Sequence, residues 1–175
     1  NHLADFCSSI TLISFLGESG EYEDFIKANL AKNIRFEFIN KSNSPTIVKK
    51  RFIEHVTNRK TLGVYSINDE TLSEKDEKKL ISIILKEIKK YDLVIVADYG
   101  HGLISEKTAT EIVNNSPYTA LNAQINAANS SYHTMDKYEK IECVIINEGE
   151  LRREFRNRDG DLDELMKILS QNLKA

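Results

Sequence analysis

YDLVIVADYGHGLIS, residues 91–105, decides the fold. Five apolar residues, 93–97, run unbroken into Asp98, and Val94, Ile95 and Val96 are β-branched. A run of this kind reads as a strand buried on both faces, the habit of a parallel sheet. Gly100 and Gly102 follow, and then a helical pattern opens on Ser105, a residue type suited to the N-cap. The stretch therefore delivers a carboxylate and a glycine turn at the carboxyl end of a parallel strand. In open α/β sheets that edge is where ligands bind. The plainer alternative is an Asp that only forms a turn or caps the helix.

Working outward, further strands are expected at 9–16, 34–39, 46–56, 62–67, 118–122 and 141–146. Helices are expected at 20–30, 105–114, 151–156 and 162–173. The longest helix is expected at 73–90, with Leu80, Ile83, Ile84 and Ile88 on one face and lysines and glutamates on the other. Residues 41–45 read as a loop and 126–134 as a polar loop. Strands alternating with helices argue for a parallel sheet covered by helices. Residues 34–67 differ, with strand after strand and no helix between, so they read as a small antiparallel flap.

Composition narrows the function classes. The 175 residues suffice for one domain, and 41% hydrophobic with 29% charged residues is ordinary for a globular protein. Net charge is −3 and no basic block stands out, which argues against nucleic-acid binding. No apolar run is long enough to cross a membrane. Cys7 and Cys143 lie far apart without metal-ligand spacing, which fits a reduced, cytoplasmic setting. His2, His55, His101 and His133 form no cluster, so no zinc site is expected. Residues 1–6 read as the last turns of a helix already under way, and 173–175 stop directly after a helical pattern. The chain is therefore expected to be a piece of a longer protein.

Four segments carry side chains that suit chemistry. In 45–53, strand alternation places Ile47, Lys49, Arg51 and Ile53 on one face and Thr46, Val48, Lys50 and Phe52 on the other. Its three cations suit an anion such as phosphate, or else they are the lysine-rich edge that keeps a strand from aggregating. In 98–102, the glycines allow close backbone approach to a ligand. His101 there is either a phosphate contact or acid–base group, or simply an exposed loop histidine. In 122–126, with Asn129 beyond, amide side chains suit sugar hydroxyls or phosphate, and equally suit turns. In 145–151, Asn147 and Glu150 sit three apart at a helix start, able to share a water or a Mg²⁺ shell. A capping box gives the same pattern.

Taken in order, these segments resemble the ribokinase-like (PfkB-type) carbohydrate kinases, nearest the heptose-phosphate kinase branch that is often fused to a sugar nucleotidyltransferase. Residues 1–6 look like the end of the helix after the family's glycine-pair sugar motif. Residues 44–54, SPTIVKKRFIE, look like its lid strand, which crosses over the sugar. Residues 93–103 are similar to its Leu-Val-Leu-Ser-Asp-Tyr-Gly-Lys-Gly strand and turn, and residues 147–150 match its Asn-x-x-Glu motif. The resemblance spans the whole chain. It implies an α/β, ribokinase-like three-layer sandwich with a mostly parallel, Rossmann-like sheet and a small antiparallel lid at about 34–67. Residues 1–175 would form a partial domain of that kind.

The resemblance also implies roles. Lys49, Arg51, Asp98 and Asn122 would face a sugar or sugar phosphate, with Lys49 and Arg51 overhanging the edge that holds Asp98, Asn122 and Asn147. Asn147 and Glu150 would organise ATP phosphates and Mg²⁺, Glu150 as the metal-side residue. Partners implied are a sugar or sugar phosphate, a nucleotidyltransferase (cytidylyltransferase) domain in the same protein, and a second copy through the lid. The chain departs from the family in several places. Neither the glycine pair nor the Gly-Ala-Gly-Asp segment with its catalytic base occurs in these residues, so no catalytic residue is assigned and the chain alone is expected not to turn over ATP. Asn122-Ala123-Gln124 replaces Asp-Pro-Lys, removing a phosphate-facing cation, and His101 replaces the usual lysine of the glycine turn. The loss of that cation keeps a rival open: a non-catalytic sugar-binding or regulatory module attached to a nucleotidyltransferase.

Overall fold

A computed structural model describes residues 1–124 and 135–174. The expected polar loop at 126–134, with Asn126, Asn129 and His133, lies outside the described residues, as does Ile125. The chain forms two compact units, Asn1–Lys79 and Leu80–Ala175. Its class is α/β, as the sequence indicates, with parallel strand pairs and a small antiparallel pair.

The first unit opens on a single 3₁₀ turn, His2–Asp5, in place of the helical turns expected there. Strand β1 (Ile10–Gly17), helix α1 (Glu23–Asn29) and strand β2 (Ile34–Lys41) then form a βαβ unit. The strands run parallel, in register from Ile10 opposite Ile34 to Gly17 opposite Lys41. Parallel neighbours need a crossover, and α1 supplies it. Leu16 and Ile39 are the unit's fully buried apolar side chains among the described residues. At the end of β1, residues 44–46 pass directly over Gly17. The Gly17 N–H donates to Thr46 Oγ1 (2.9 Å), the Glu18 N–H donates to the Ser44 carbonyl (2.8 Å), and a Cβ at Gly17 would strike the backbone of Pro45 and Thr46. Only glycine allows that approach.

Strands β3 (Val48–Ile53) and β4 (Lys60–Ser66) form the antiparallel lid, from Val48 opposite Ser66 to Ile53 opposite Lys60, with a bulge between Phe52 and Ile53. The lid is therefore shorter than the 34–67 read from sequence. Residues 34–41 belong to the parallel pair, because α1 joins them back to β1. In the lid's turn the Glu54 carboxylate accepts from the Thr57 hydroxyl (2.6 Å) and from the N–H groups of Val56 and Thr57 (both 2.7 Å). Those bonds hold its pKa below the ordinary carboxylate value.

Helix α2 (Glu74–Ile88) leads from the first unit into the second. Ser73 caps it, its Oγ accepting from the Asp76 N–H at 3.1 Å, and Glu74, Asp76 and Glu77 place negative charge in its first turn. Its buried stripe is Leu80, Ile81, Ile84, Glu87 and Ile88, so Ile81 takes the place expected for Ile83, which is half-buried. The second unit continues as β5 (Val94–Asp98), α3 (Glu106–Asn115), β6 (Thr119–Ala123), β7 (Cys143–Val144), α4 (Glu148–Glu154) and α5 (Leu162–Leu173). The strands are parallel in the order β5-β6-β7. β7 keeps only two residues of the strand expected at 141–146.

The central strand β6 buries Thr119, Ala120, Leu121 and Ala123, whereas β5 alternates: Val96 and Asp98 are buried and Ile95 is 47% exposed. The expectation that β5 is buried on both faces is thus corrected. Among the described residues β5 ends the β5-β6-β7 sheet, and only one of its faces is covered. Ser105 caps α3 by accepting from the Thr108 N–H (3.1 Å), and Asp161 caps α5 by accepting from the Glu164 N–H (3.0 Å). No helix among the described residues is long and apolar enough to cross a membrane.

Candidate functional site

Parallel strands end together, and here they gather the expected residues of the second unit. Asp98 closes β5 opposite Ala123, and its carbonyl accepts from the Gln124 N–H at 2.8 Å. Asn122 Nδ2 donates to the Ile145 carbonyl (2.8 Å), tying β6 to the residue that follows β7. Asn147 begins α4 just beyond. Asp98, Asn122 and Asn147 therefore lie along one carboxyl edge of the sheet, as the motif reading requires.

Asp98 is the most heavily bonded of them. Its side chain is almost completely buried. Oδ2 pairs with Lys137 Nζ at 2.6 Å and accepts from the Tyr138 hydroxyl at 2.7 Å, while Oδ1 accepts from the Gly100 N–H at 3.0 Å. Burial pushes the carboxyl pKa up, but the Lys137 charge and these three donors outweigh it and hold the group below its usual range. Tyr138 responds in the opposite sense: burial, the Asp98 charge and its bond to Asp98 keep the phenol protonated. Gly100 and Gly102 both adopt positive φ, 64° and 77°, so the turn after β5 needs glycine for backbone geometry. His101, between them, is buried and stacks on Tyr99 at 6.5 Å between ring centres, unlike an exposed loop histidine.

Asn147 and Glu150 form a complete capping box. Asn147 Oδ1 accepts from the Glu150 N–H at 2.9 Å and Glu150 Oε2 accepts from the Asn147 N–H at 3.2 Å. The capping reading of this pair is realised. Among the described residues, no group of three or more His, Cys, Asp or Glu comes together as a metal site. Asn122 Oδ1 accepts from Gln124 Nε2 at 3.0 Å, so the segment that replaces Asp-Pro-Lys is a closed amide pair carrying no charge.

On the lid, Lys49 lies opposite Tyr65 and Arg51 opposite Gly63, on one face of the hairpin. Lys60 Nζ donates to the Tyr65 hydroxyl at 3.0 Å. That bond and the Lys60 charge lower the phenol pKa, with smaller help from Arg51 and Lys49. Lys50 sits on the other face, beside Phe52, Leu62 and Val64, all exposed.

Sequence reasoning missed Lys137, Tyr138, Lys60 and Tyr65. The first two lie about forty residues beyond Asp98 in a stretch without periodicity, and no local pattern marks them. Tyr65 was within reach, since a hairpin register places it opposite Lys49, whereas Lys60 pairs with Ile53 beyond a bulge that no local signal marks.

Comparison with known proteins bears on the fold. No protein-family profile matches the chain. It is 29% identical over 117 residues to the bifunctional protein HldE of Aliarcobacter butzleri, and 24% identical over 116 residues to the bifunctional protein HldE of Nitratiruptor. Those matches cover 65% and 66% of this chain, and 24% of each relative. Among solved structures, Escherichia coli phosphofructokinase-2 in complex with potassium matches with a TM-score of 0.65 at 13% identity, over 98% of this chain and 55% of that one. A mutant form of the same enzyme matches with a TM-score of 0.62 at 13% identity, over 95% of this chain and 52% of that one. The chain thus spans about half the length of these structures and a quarter of the curated relatives. The fold is ribokinase-like, and the resemblance to carbohydrate kinases read from the motifs recurs in both comparisons.

Proposed function

We propose that this chain is the central part of a PfkB-type sugar kinase, acting in the cytoplasm on a sugar or sugar phosphate with ATP. The observation that carries this reading is the single carboxyl edge holding Asp98, Asn122 and Asn147, in a chain of this fold. In the proposal, Asp98 and Asn122 form the sugar corner, and Lys49 and Arg51 of the lid meet the sugar or its phosphate. Asn147 and Glu150 serve the nucleotide side. Mg²⁺ bound with ATP takes one or two carboxylates and several waters, and Glu150 is the carboxylate that would meet its shell. The ion would neutralise charge on the transferring phosphoryl group, while the protein positions the reactants.

A nucleotidyltransferase domain in the same protein, and a homodimer through the lid, belong to the same proposal. The exposed Phe52, Leu62 and Val64 on one lid face support the second. The 175 residues contain no Gly-Ala-Gly-Asp segment. By themselves they are therefore expected not to turn over ATP, since a base and an oxyanion-type site supply much of the transition-state stabilisation. One observation favours a second reading, a non-catalytic sugar-binding or regulatory module: the Asn122–Gln124 pair offers no cation where the family has lysine.

The test is coupled ADP release by the whole protein with Mg²⁺-ATP and a panel of sugars and sugar phosphates. Sugar-dependent release, absent from the 175 residues alone, supports the kinase. Sugar binding without release by the whole protein supports the module. Sugar-dependent release by the 175 residues alone, abolished by Asp98→Asn, would overturn the proposed inactivity of this part.

A further inference from the structure

At the Asp98 corner, Lys137 keeps a charged hydrogen-bonding valence to offer among the described residues. A lysine ammonium carries three N–H donors. One meets Asp98 Oδ2 at 2.6 Å and a second meets the Ile104 carbonyl at 2.8 Å. The third has no acceptor among the described residues, and the Lys137 side chain keeps 19% of its exposure where that of Asp98 keeps 4%. Its ammonium also lies over the Tyr138 ring, 5.5 Å from the centroid. An ordinary surface lysine sweeps through many rotamers; this one is pinned on three sides, at the edge of a parallel sheet where ligands bind.

The charge balance says which ligand atom suits it. Asp98 is held ionised beside Lys137, so the pair is neutral overall. A phosphate approaching the ammonium would also approach the Asp98 carboxylate, and attraction to one would be offset by repulsion from the other. A neutral hydroxyl oxygen meets no such repulsion and accepts a charge-assisted hydrogen bond. We infer that Lys137 is a specificity-determining donor to a hydroxyl of a neutral polyol, a sugar hydroxyl in preference to a phosphate. Asp98 is then a positioning residue that acts through it. This rests on the reading of the edge as a sugar site, and it assigns the sugar's contact there to a residue outside every motif of the sequence.

The test uses the whole protein with ¹⁵N-labelled lysine, following the Lys137 Nζ signal by NMR and identifying it by its loss in Lys137→Arg. Free hexoses and heptoses are titrated first, then inorganic phosphate. The expected result is a shift of the Lys137 signal with a sugar that binds and none with phosphate. Lys137→Arg keeps a cation beside Asp98 but spreads its donors over a plane. It should weaken sugar affinity by about tenfold, the scale of one charged hydrogen bond, with little change in thermal unfolding. A shift with phosphate alone would overturn the inference. So would sugar binding, measured by calorimetry, that leaves the signal and the Lys137→Arg affinity unchanged; the sugar-site reading would survive that result. No sugar binding by the parent protein would remove both.

Discussion

Lys41 and Asp98 occupy like positions in different units. Each is the last residue of a parallel strand, β2 and β5, and each is almost fully buried, at 2% and 3% exposure. Their surroundings differ. The Lys41 ammonium touches dipoles and a ring: it donates to the carbonyls of Asn68 (2.7 Å) and Glu70 (2.6 Å) and lies 5.2 Å from the centre of the Phe15 ring. Asp98 meets a full opposite charge. Both pKa values are lowered, with opposite meaning. For Lys41, burial outweighs the charges of Asp69 and Glu70 and disfavours the ionised form; for Asp98, the partners outweigh burial and favour it. A charge buried against backbone carbonyls ties down a loop, here 68–70. A charge buried against another charge leaves a fixed ion pair with donors to spare, the raw material of a binding site.

Removing the opposite charge is the largest way to break this contrast. Lys137→Met leaves Asp98 ionised and buried without its cation, and should cost about 3–5 kcal/mol of stability in urea unfolding. Adding Asp98→Asn should restore part of that loss, because the stranded charge is then gone. A cost below about 1 kcal/mol, the range of a surface pair, would mean that the pair is solvated and the comparison empty.

Lys41→Met should cost less, about 1–3 kcal/mol, since what it strands are two neutral carbonyls. The loss should be accompanied by faster amide exchange in 68–70. A cost equal to that of Lys137→Met would show that dipoles hold a buried charge as firmly as a counter-ion does.

The pH dependence separates the two further, with smaller effects. Asp98 has its folded pKa below the unfolded value, so its contribution is fully present above the unfolded carboxyl pKa and is lost as pH falls through the folded one. Lys41 also has its folded pKa below the unfolded value, so the unfolded chain binds the extra proton between the two. Stability should therefore rise with pH in the alkaline range just below 10.5. Unfolding free energy measured against pH should rise in an acid window that Asp98→Asn removes and in an alkaline window that Lys41→Met removes. Loss of both windows in one variant would contradict their independence.

How much of this could be read beforehand follows from the range of each interaction. The β5 edge was legible because the apolar run, the glycines and Ser105 are all local signals, and strand direction then places Asp98, Asn122 and Asn147 together. The Asn147–Glu150 pair was legible as two alternatives, since a capping box and a metal-side pair share one spacing; the capping box forms, and it leaves the metal-side role to a test with ligand. The lid's two strands were legible, but not that 34–41 pairs backwards with β1, because pairing is not written in either strand alone. The partners of Asp98 lay beyond reach for the same reason: Lys137 and Tyr138 come from about forty residues away. β5 shows the limit of a local signal, since an apolar run does not say whether both faces of its strand are covered.

Glu154 supplies the smallest and sharpest test, a half-buried carboxylate with no ion pair among the described residues. It lines a cavity of about 420 Å³ with Asp136, Glu139 and Leu169, and its Oε1 accepts from the Met135 N–H at 3.0 Å. Burial raises its pKa and the Asp136 charge raises it further, while the Met135 bond works against them. This is the Asp98 problem without Lys137. A carboxyl whose folded pKa exceeds the unfolded value costs stability at neutral pH, a cost that fades as pH falls through the folded value. Glu154→Gln keeps an oxygen for Met135 and removes the charge, so it should stabilise the protein at pH 7 by on the order of a few tenths of a kcal/mol, the range of one partly screened repulsion. The gain should vanish below about pH 4, where the parent carboxyl is protonated in both states. Loss of stability at pH 7 would mean that the charged form of the Met135 bond outweighs burial, and that a backbone N–H can do for Glu154 what Lys137 does for Asp98.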